Sequence, residues 1–285
     1  MGVNPSFLGP DHICLAELLR REVETTWSLD AARRHCCDVF VLGYGEGPTR
    51  CGTKVGGLPY LSKSNQWPVS SRTGRPLAFV CQFRLAESID LVGVLPGDVL
   101  LVFCDLTNGS EWHFEWSKLG SDTKDLVSIH DVPTGEHLDV PTCYGVRVRY
   151  FDYEEEFVAG AMYKTLMRRR RFRQMFSETD GEAIIEALAF VRAWACQLCV
   201  LKVGGIPYWA NPIEALVKKS NLGRFIAMIP PINPPPVLSR KDKVYWMNGV
   251  NIHNDASLLW PPEGCIHLYL SDESSVEARF VSLEP

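Results

Sequence analysis

The chain has no run of 18 apolar residues, so the sequence offers no segment suited to crossing a membrane as a helix. Its first ten residues lack the basic stretch and apolar core of a secretory signal, and the expected compartment is the cytoplasm. Gly-x-Ser-x-Gly, His-Glu-x-x-His, Gly-x-x-x-x-Gly-Lys-Ser/Thr and the His-x-Glu with Pro-Cys-x-x-Cys of zinc deaminases are all missing. Those absences remove the local signatures of four large enzyme classes. Histidine is scarce, with seven in 285 residues. His113, His130 and His137 are neighbours in sequence, but gaps of 17 and 7 residues in loop-rich sequence do not match metal-ligand spacing. No metal and no cofactor is expected.

Cysteine is plentiful, with ten residues. Without an export signal, these are expected to be thiols used mainly as small apolar packing groups, with no disulfide and no zinc. Cys196-Gln197-Leu198-Cys199 has no second pair at zinc-ribbon spacing and closes a helical pattern instead of opening one. Charge is uneven. Residues 105–156 hold twelve acidic and four basic side chains, a net of −8 in a chain whose total is −5. Such a surface repels nucleic acid and favours a basic partner, unless it is only a solvated face.

A repeat is the dominant pattern. Lys54-Val55-Gly56-Gly57-Leu58-Pro59-Tyr60 returns as Lys202-Val203-Gly204-Gly205-Ile206-Pro207-Tyr208, identical at six of seven positions. Residues 79–83 are matched by 225–229, and the Gly-initiated stretch 97–105, ending in Asp, by 264–272. Three boxes in one order imply a duplicated unit, and two large copies suit a pseudo-twofold domain better than a solenoid.

Periodicity supplies the elements. Residues 11–35 read as an amphipathic helix carrying Ile13, Leu15, Leu18, Leu19 and Val23 on one side. Short apolar strands are expected at 38–42, 77–83 and 99–104, with a helical turn at 84–89. Trp112, Phe114 and Trp116 alternate with polar residues, as in a half-buried strand, and residues 146–151 read as an edge or surface strand. Residues 154–176 and 180–199 read as helices; the run Arg168 to Arg171 is expected to pair with nearby acids. Gly43-Tyr44-Gly45-Glu46-Gly47 is followed by Pro48 and Gly52 in place of a helix, so it reads as a turn and not as a phosphate loop. Residues 230–236 hold five prolines and form a stiff loop.

The boxes resemble the YwqG-like family of bacterial proteins. The resemblance is carried by residues 54–61, Trp67-Pro68, Pro76-Leu77-Ala78-Phe79, Gln82-Phe83, Leu85-Ala86-Glu87 and Leu95-Pro96-Gly97, and by 204–209 in the second half. The chain departs from that pattern at 226–229, which lacks the Gln, and at 260–264, where Trp260-Pro261-Pro262-Glu263-Gly264 replaces a Trp-Gly-Asp segment. The resemblance implies an α+β fold with antiparallel sheets, an internal pseudo-twofold duplication and a few flanking helices. It carries no accepted enzymatic activity and no catalytic residues. Some of its members resemble immunity proteins encoded beside secreted toxins.

The resulting expectation is a single domain over 1–285, built of two pseudo-repeats (about 38–150 and 200–285), an N-terminal helix at 11–35 and connecting helices at 154–199. It is non-enzymatic and cytoplasmic, binds no nucleic acid and no membrane, and neutralises a cognate toxin, a basic nuclease, by occluding its active site. The expected contact residues are Glu111, Trp112, His113, Glu115, Trp116, Asp122 and Asp125. The alternative is an enzyme or small-ligand binder with a cleft between the two pseudo-repeats.

Overall fold

The computed structural model describes residues 34–106, 111–120, 125–135, 140, 142–153, 201–207, 223–230, 264–271 and 275–282. At its centre β1 (Arg34–Tyr44) and β6 (Cys143–Tyr153) run antiparallel over eleven residue pairs, from Arg34 opposite Tyr153 to Tyr44 opposite Cys143. Outward from β6 come β2 (Lys54–Val55), β3 (Ala78–Arg84), β4 (Val99–Cys104) and β5 (Trp112–Ser117). Outward from β1 come β7 (Leu201–Gly204), β8 (Arg224–Ile229), β9 (Gly264–Leu270) and β10 (Val276–Ser282). Every neighbouring pair is antiparallel.

The two wings share local detail. Lys54 lies opposite Gln82, and Lys202 opposite Met228. The register slips by one residue between Phe79 and Cys81 in β3, and between Phe225 and Ala227 in β8. Each slip is a β-bulge whose extra residue, Val80 or Ile226, is apolar and buried in the core. A bulge bends its strand and increases local twist, which is what a curling sheet needs.

That curl overturns the expected α+β class with flanking helices. The described residues form one ten-stranded antiparallel sheet rolled into a nearly closed barrel. The helical elements among them include a 3₁₀ turn (Leu85–Ser88) and the single-turn α1 (Ile89–Val92). The physical reason is that a rolled sheet buries its concave face against itself and needs no helical layer. Phe83, Leu100 and Val102 from one wing share a single apolar cluster with Ile226, Leu268 and Ile229 from the other. β4 is buried along its whole length because its convex face is covered too. Leu101 and Phe103 pack there under Tyr60, Leu61, Leu77, Leu126 and Val127. Each such side chain contributes about 1.5–3 kcal/mol by leaving water.

Other expectations need correction. Residues 34 and 35, assigned to the end of a helix, begin β1, which outruns the expected 38–42 at both ends. The stretch 146–151 is the expected edge or surface strand: β1 pairs it on one side, while β2 reaches only Cys143 and Tyr144 on the other. Val146 to Arg149 are exposed on both of its faces. The expected helices over 11–33 and 154–199, and the proline-rich loop beyond Pro230, lie outside the described residues.

Candidate functional site

The repeated box is built around its lysine. Lys54, 1% exposed, donates to Glu46 Oε2 at 2.8 Å and also to the carbonyl of Leu58. Lys202, fully buried, donates to Asp152 Oδ2 at 2.7 Å and to the carbonyl of Ile206 at 2.9 Å. Each carboxylate also accepts the backbone N–H of the residue that follows the two glycines: Leu58 to Glu46 at 2.7 Å and Ile206 to Asp152 at 3.2 Å. The glycines are required by this geometry. Gly57 and Gly205 sit at φ +70° and +74°, and a Cβ on either would run into the carboxylate it faces. Burial pulls the Lys54 ammonium below its ordinary range, and the hydrogen bond it donates to Glu46 offsets part of that.

A third ionic cluster ties β1 and β6 to the 3₁₀ turn and α1. Asp38 is fully buried and accepts from Arg149 Nε at 2.6 Å and from the Ser88 hydroxyl at 2.6 Å. The same guanidinium grips Asp90 through two bonds of 2.6 and 3.1 Å. These bonds hold the Asp90 carboxyl below the usual carboxylate range and raise the arginine. Gln82 performs a comparable task in the first wing. Its amide accepts from Tyr60 N at 2.9 Å and donates to the carbonyls of Arg50 and Gly52 at 2.7 and 2.8 Å. Arg50 in turn bonds the carbonyls of Pro59 and Val127, each at 2.8 Å.

The acidic contact residues lie at the opposite end of the strand order, on and beside edge strand β5. Glu111 accepts from the Ser70 hydroxyl and from Ser71 N, both at 2.6 Å, and these bonds hold its carboxyl down at about 2. Glu115 accepts from Asn65 Nδ2 at 2.8 Å and lies 3.5 Å from His113 Nε2. His113 is exposed, with its ring edge-on to Phe103 at 6.2 Å. Asp125 is exposed, while Asp122 lies outside the described residues. Trp112 and Trp116 face the other way. Both are half-buried and pack on the concave core, with Trp112 stacked on Phe114. The structure therefore groups Glu111, His113 and Glu115 on one side of β5 and separates the two tryptophans from them.

Among the described residues no three His, Cys, Asp or Glu side chains converge as metal ligands. No disulfide joins any two of the seven described cysteines. His267 is fully buried in β9 beside Phe225 and Tyr269, and burial pushes its imidazole down to about 3. A cleft of about 160 Å³ opens beside β1, β2 and β6, between Phe40, Tyr144, Arg84 and Arg147.

Sequence reasoning missed Glu46, Asp152, Asp38 and Gln82. One signal was available: a lysine inside a repeated, strand-forming apolar box must be buried, and a buried ammonium needs a carboxylate. Which carboxylate was not readable, because Lys202 reaches Asp152 over an intervening strand.

No curated protein matches the chain. A family described only as a domain of unknown function matches residues 53–195, beginning one residue before the first lysine box and covering half of the sequence. On that match the chain belongs to the DUF1963 family.

Proposed function

We propose that this chain is a binding protein that captures a basic protein domain on its acidic β5 edge, as a bacterial immunity protein would capture a secreted nuclease toxin and cover its active site. The finer kinship with YwqG-like proteins belongs to the same proposal and rests on the motifs at 54–61, 67–68 and 204–209. The observation that carries the reading is the prepositioning of Glu111 and Glu115 on one side of the edge strand by Ser70, Ser71 and Asn65. A carboxylate has about four lone-pair sites, so each keeps capacity for a partner's lysine or arginine. Lys54 and Lys202, by contrast, are each bound internally by a carboxylate and a carbonyl. The β5 edge thus presents negative charge. Such a surface mimics a phosphate backbone and speeds encounter with a basic partner.

The experiment compares capture from the native host by the parent and by a variant carrying Glu111→Lys, Glu115→Lys and Asp125→Lys, with mass spectrometry to identify what is bound. A basic protein held by the parent and lost by the folded variant supports the reading. A partner held equally by both, or an acidic one, removes the β5 edge as the contact surface.

A further inference from the structure

The cleft between β1, β2, β6 and the 3₁₀ turn is separate from the acidic edge, and its chemistry is of opposite sign. At about 160 Å³ it is below the ~300–1,000 Å³ of drug-sized ligand pockets. Its walls come close because Gly47 and Gly145 lack side chains. A Cβ on Gly145 would lie 3.0 Å from Phe40 Cβ and 3.1 Å from the Thr53 carbonyl, and one on Gly47 2.9 Å from Tyr144 Cβ. The turn at 43–47, which has no helix to offer a phosphate, thus becomes one wall of a polar cleft.

Three cations and one carboxylate line this space: Lys54, Arg84, Arg147 and Glu87. Lys54 is spent on Glu46 and Leu58. Arg84 meets Glu87 at 3.1 Å through one terminal nitrogen, and its Nε–H is buried with no acceptor. Arg147 approaches the same carboxylate at 3.9 Å, donates to the Glu87 carbonyl, and lies 3.5 Å from Asp38. Asp38 is already held by Arg149 and Ser88, and Asp90 by Arg149. Two guanidiniums, each with five donors in a fork suited to an oxyanion, therefore share one carboxylate within the cleft.

We propose that this cleft binds a compact oxyanion, a small carboxylate or a phosphate. Arg84 and Arg147 grip it, with its remaining face against Phe40 and Tyr144. Glu87 competes for the same two guanidiniums and sets the affinity.

Calorimetric titration of the full chain at low ionic strength tests this, using acetate, inorganic phosphate and the neutral control acetamide. Binding of acetate or phosphate with Kd on the order of 1 mM, and none of acetamide, is expected. Binding of acetate alone identifies a carboxylate site, and binding of phosphate alone identifies a phosphate site. Arg147→Gln should weaken binding roughly tenfold, the loss of one charge-assisted hydrogen bond. Glu87→Gln should tighten it, because the competing carboxylate is gone. No anion binding to the folded parent overturns the proposal, as does equal binding of acetamide, or weaker binding by Glu87→Gln.

Discussion

Lys202 and Asp152 meet at 2.7 Å although they stand on strands that are not neighbours: β1 runs between β7 and β6, and the lysine reaches over it. Lys54 makes the same reach over β6 to Glu46, at the turn after β1. The two pairs differ in burial. Both partners are fully buried in the second, whereas Glu46 is 40% exposed in the first. Removing one partner of a buried pair strands a charge, while replacing both with apolar groups does not. Asp152→Asn is expected to cost about 3–5 kcal/mol in urea denaturation. Glu46→Gln should cost about 1–2 kcal/mol, because Glu46 is 40% exposed and its glutamine replacement keeps an amide oxygen to accept from the lysine. The double change Lys202→Met with Asp152→Leu should recover much of the loss. Equal costs for the two single variants would show that burial does not set the difference.

The second glycine of each lysine box supplies a second test. Gly57→Ala and Gly205→Ala place a side chain at positive φ and against a carboxylate, whereas Gly74, at φ +68°, has nothing within 4 Å of its Cβ position. Gly74→Ala should therefore cost only the left-handed backbone term, about 1–2 kcal/mol. The other two should cost more. Denaturation midpoints of the three variants check the order, which would fail if Gly74→Ala were the worst.

Glu111 gives a pH signature. Its carboxyl is held at about 2 in the fold against an ordinary 4.5, chiefly by the Ser70 hydroxyl. The unfolded chain then takes up its proton first as pH falls. The contribution is fully present above about pH 4.5 and is lost as pH falls towards about 2. In Glu111→Gln, thermal midpoints measured across that window should fall less steeply than in the parent. An unchanged slope would mean that these bonds add nothing to the pH dependence.

Thiol reactivity should separate two adjacent residues. Cys36 is exposed and Cys37 buried, and burial raises the Cys37 thiol, with nearby Asp152 adding to the shift. Cys81 and Cys104 are raised by burial as well. Brief alkylation of the native protein at pH 8, read by peptide mass spectrometry, should label Cys36 well ahead of Cys37, Cys81 and Cys104. Comparable labelling of Cys36 and Cys37 would contradict the packing of β1.

Several features were legible without coordinates because they depend on neighbours in sequence. Val99 to Cys104 is apolar throughout and forms a buried strand, and Trp112, Phe114 and Trp116 alternate with polar residues and half-bury one face. The turn at 84–89 follows from Leu85-Ala86-Glu87 and appears as the 3₁₀ turn leading into α1. The equivalence of the two lysine boxes was visible as near identity of seven residues. The rest depended on partners far apart in the chain. Asp152 and Lys202 are 50 residues apart, and Asp38 and Arg149 are 111 apart. Nothing in local spacing links either pair. The sheet's closure was equally hidden, since bulges at Val80 and Ile226 turn a strand pattern that suits a flat sheet backed by helices into one that curls. The sequence by itself determined that 77–83, 99–104 and 112–116 are strands and that the two lysine boxes correspond, because periodicity and near identity are read from local residues. Only the tertiary structure decided which carboxylates receive those lysines, that Trp112 and Trp116 turn inward while Glu111 and Glu115 turn out, and that the two wings close on one core. Those outcomes depend on which strands lie side by side, and that is set by the packing of the whole sheet.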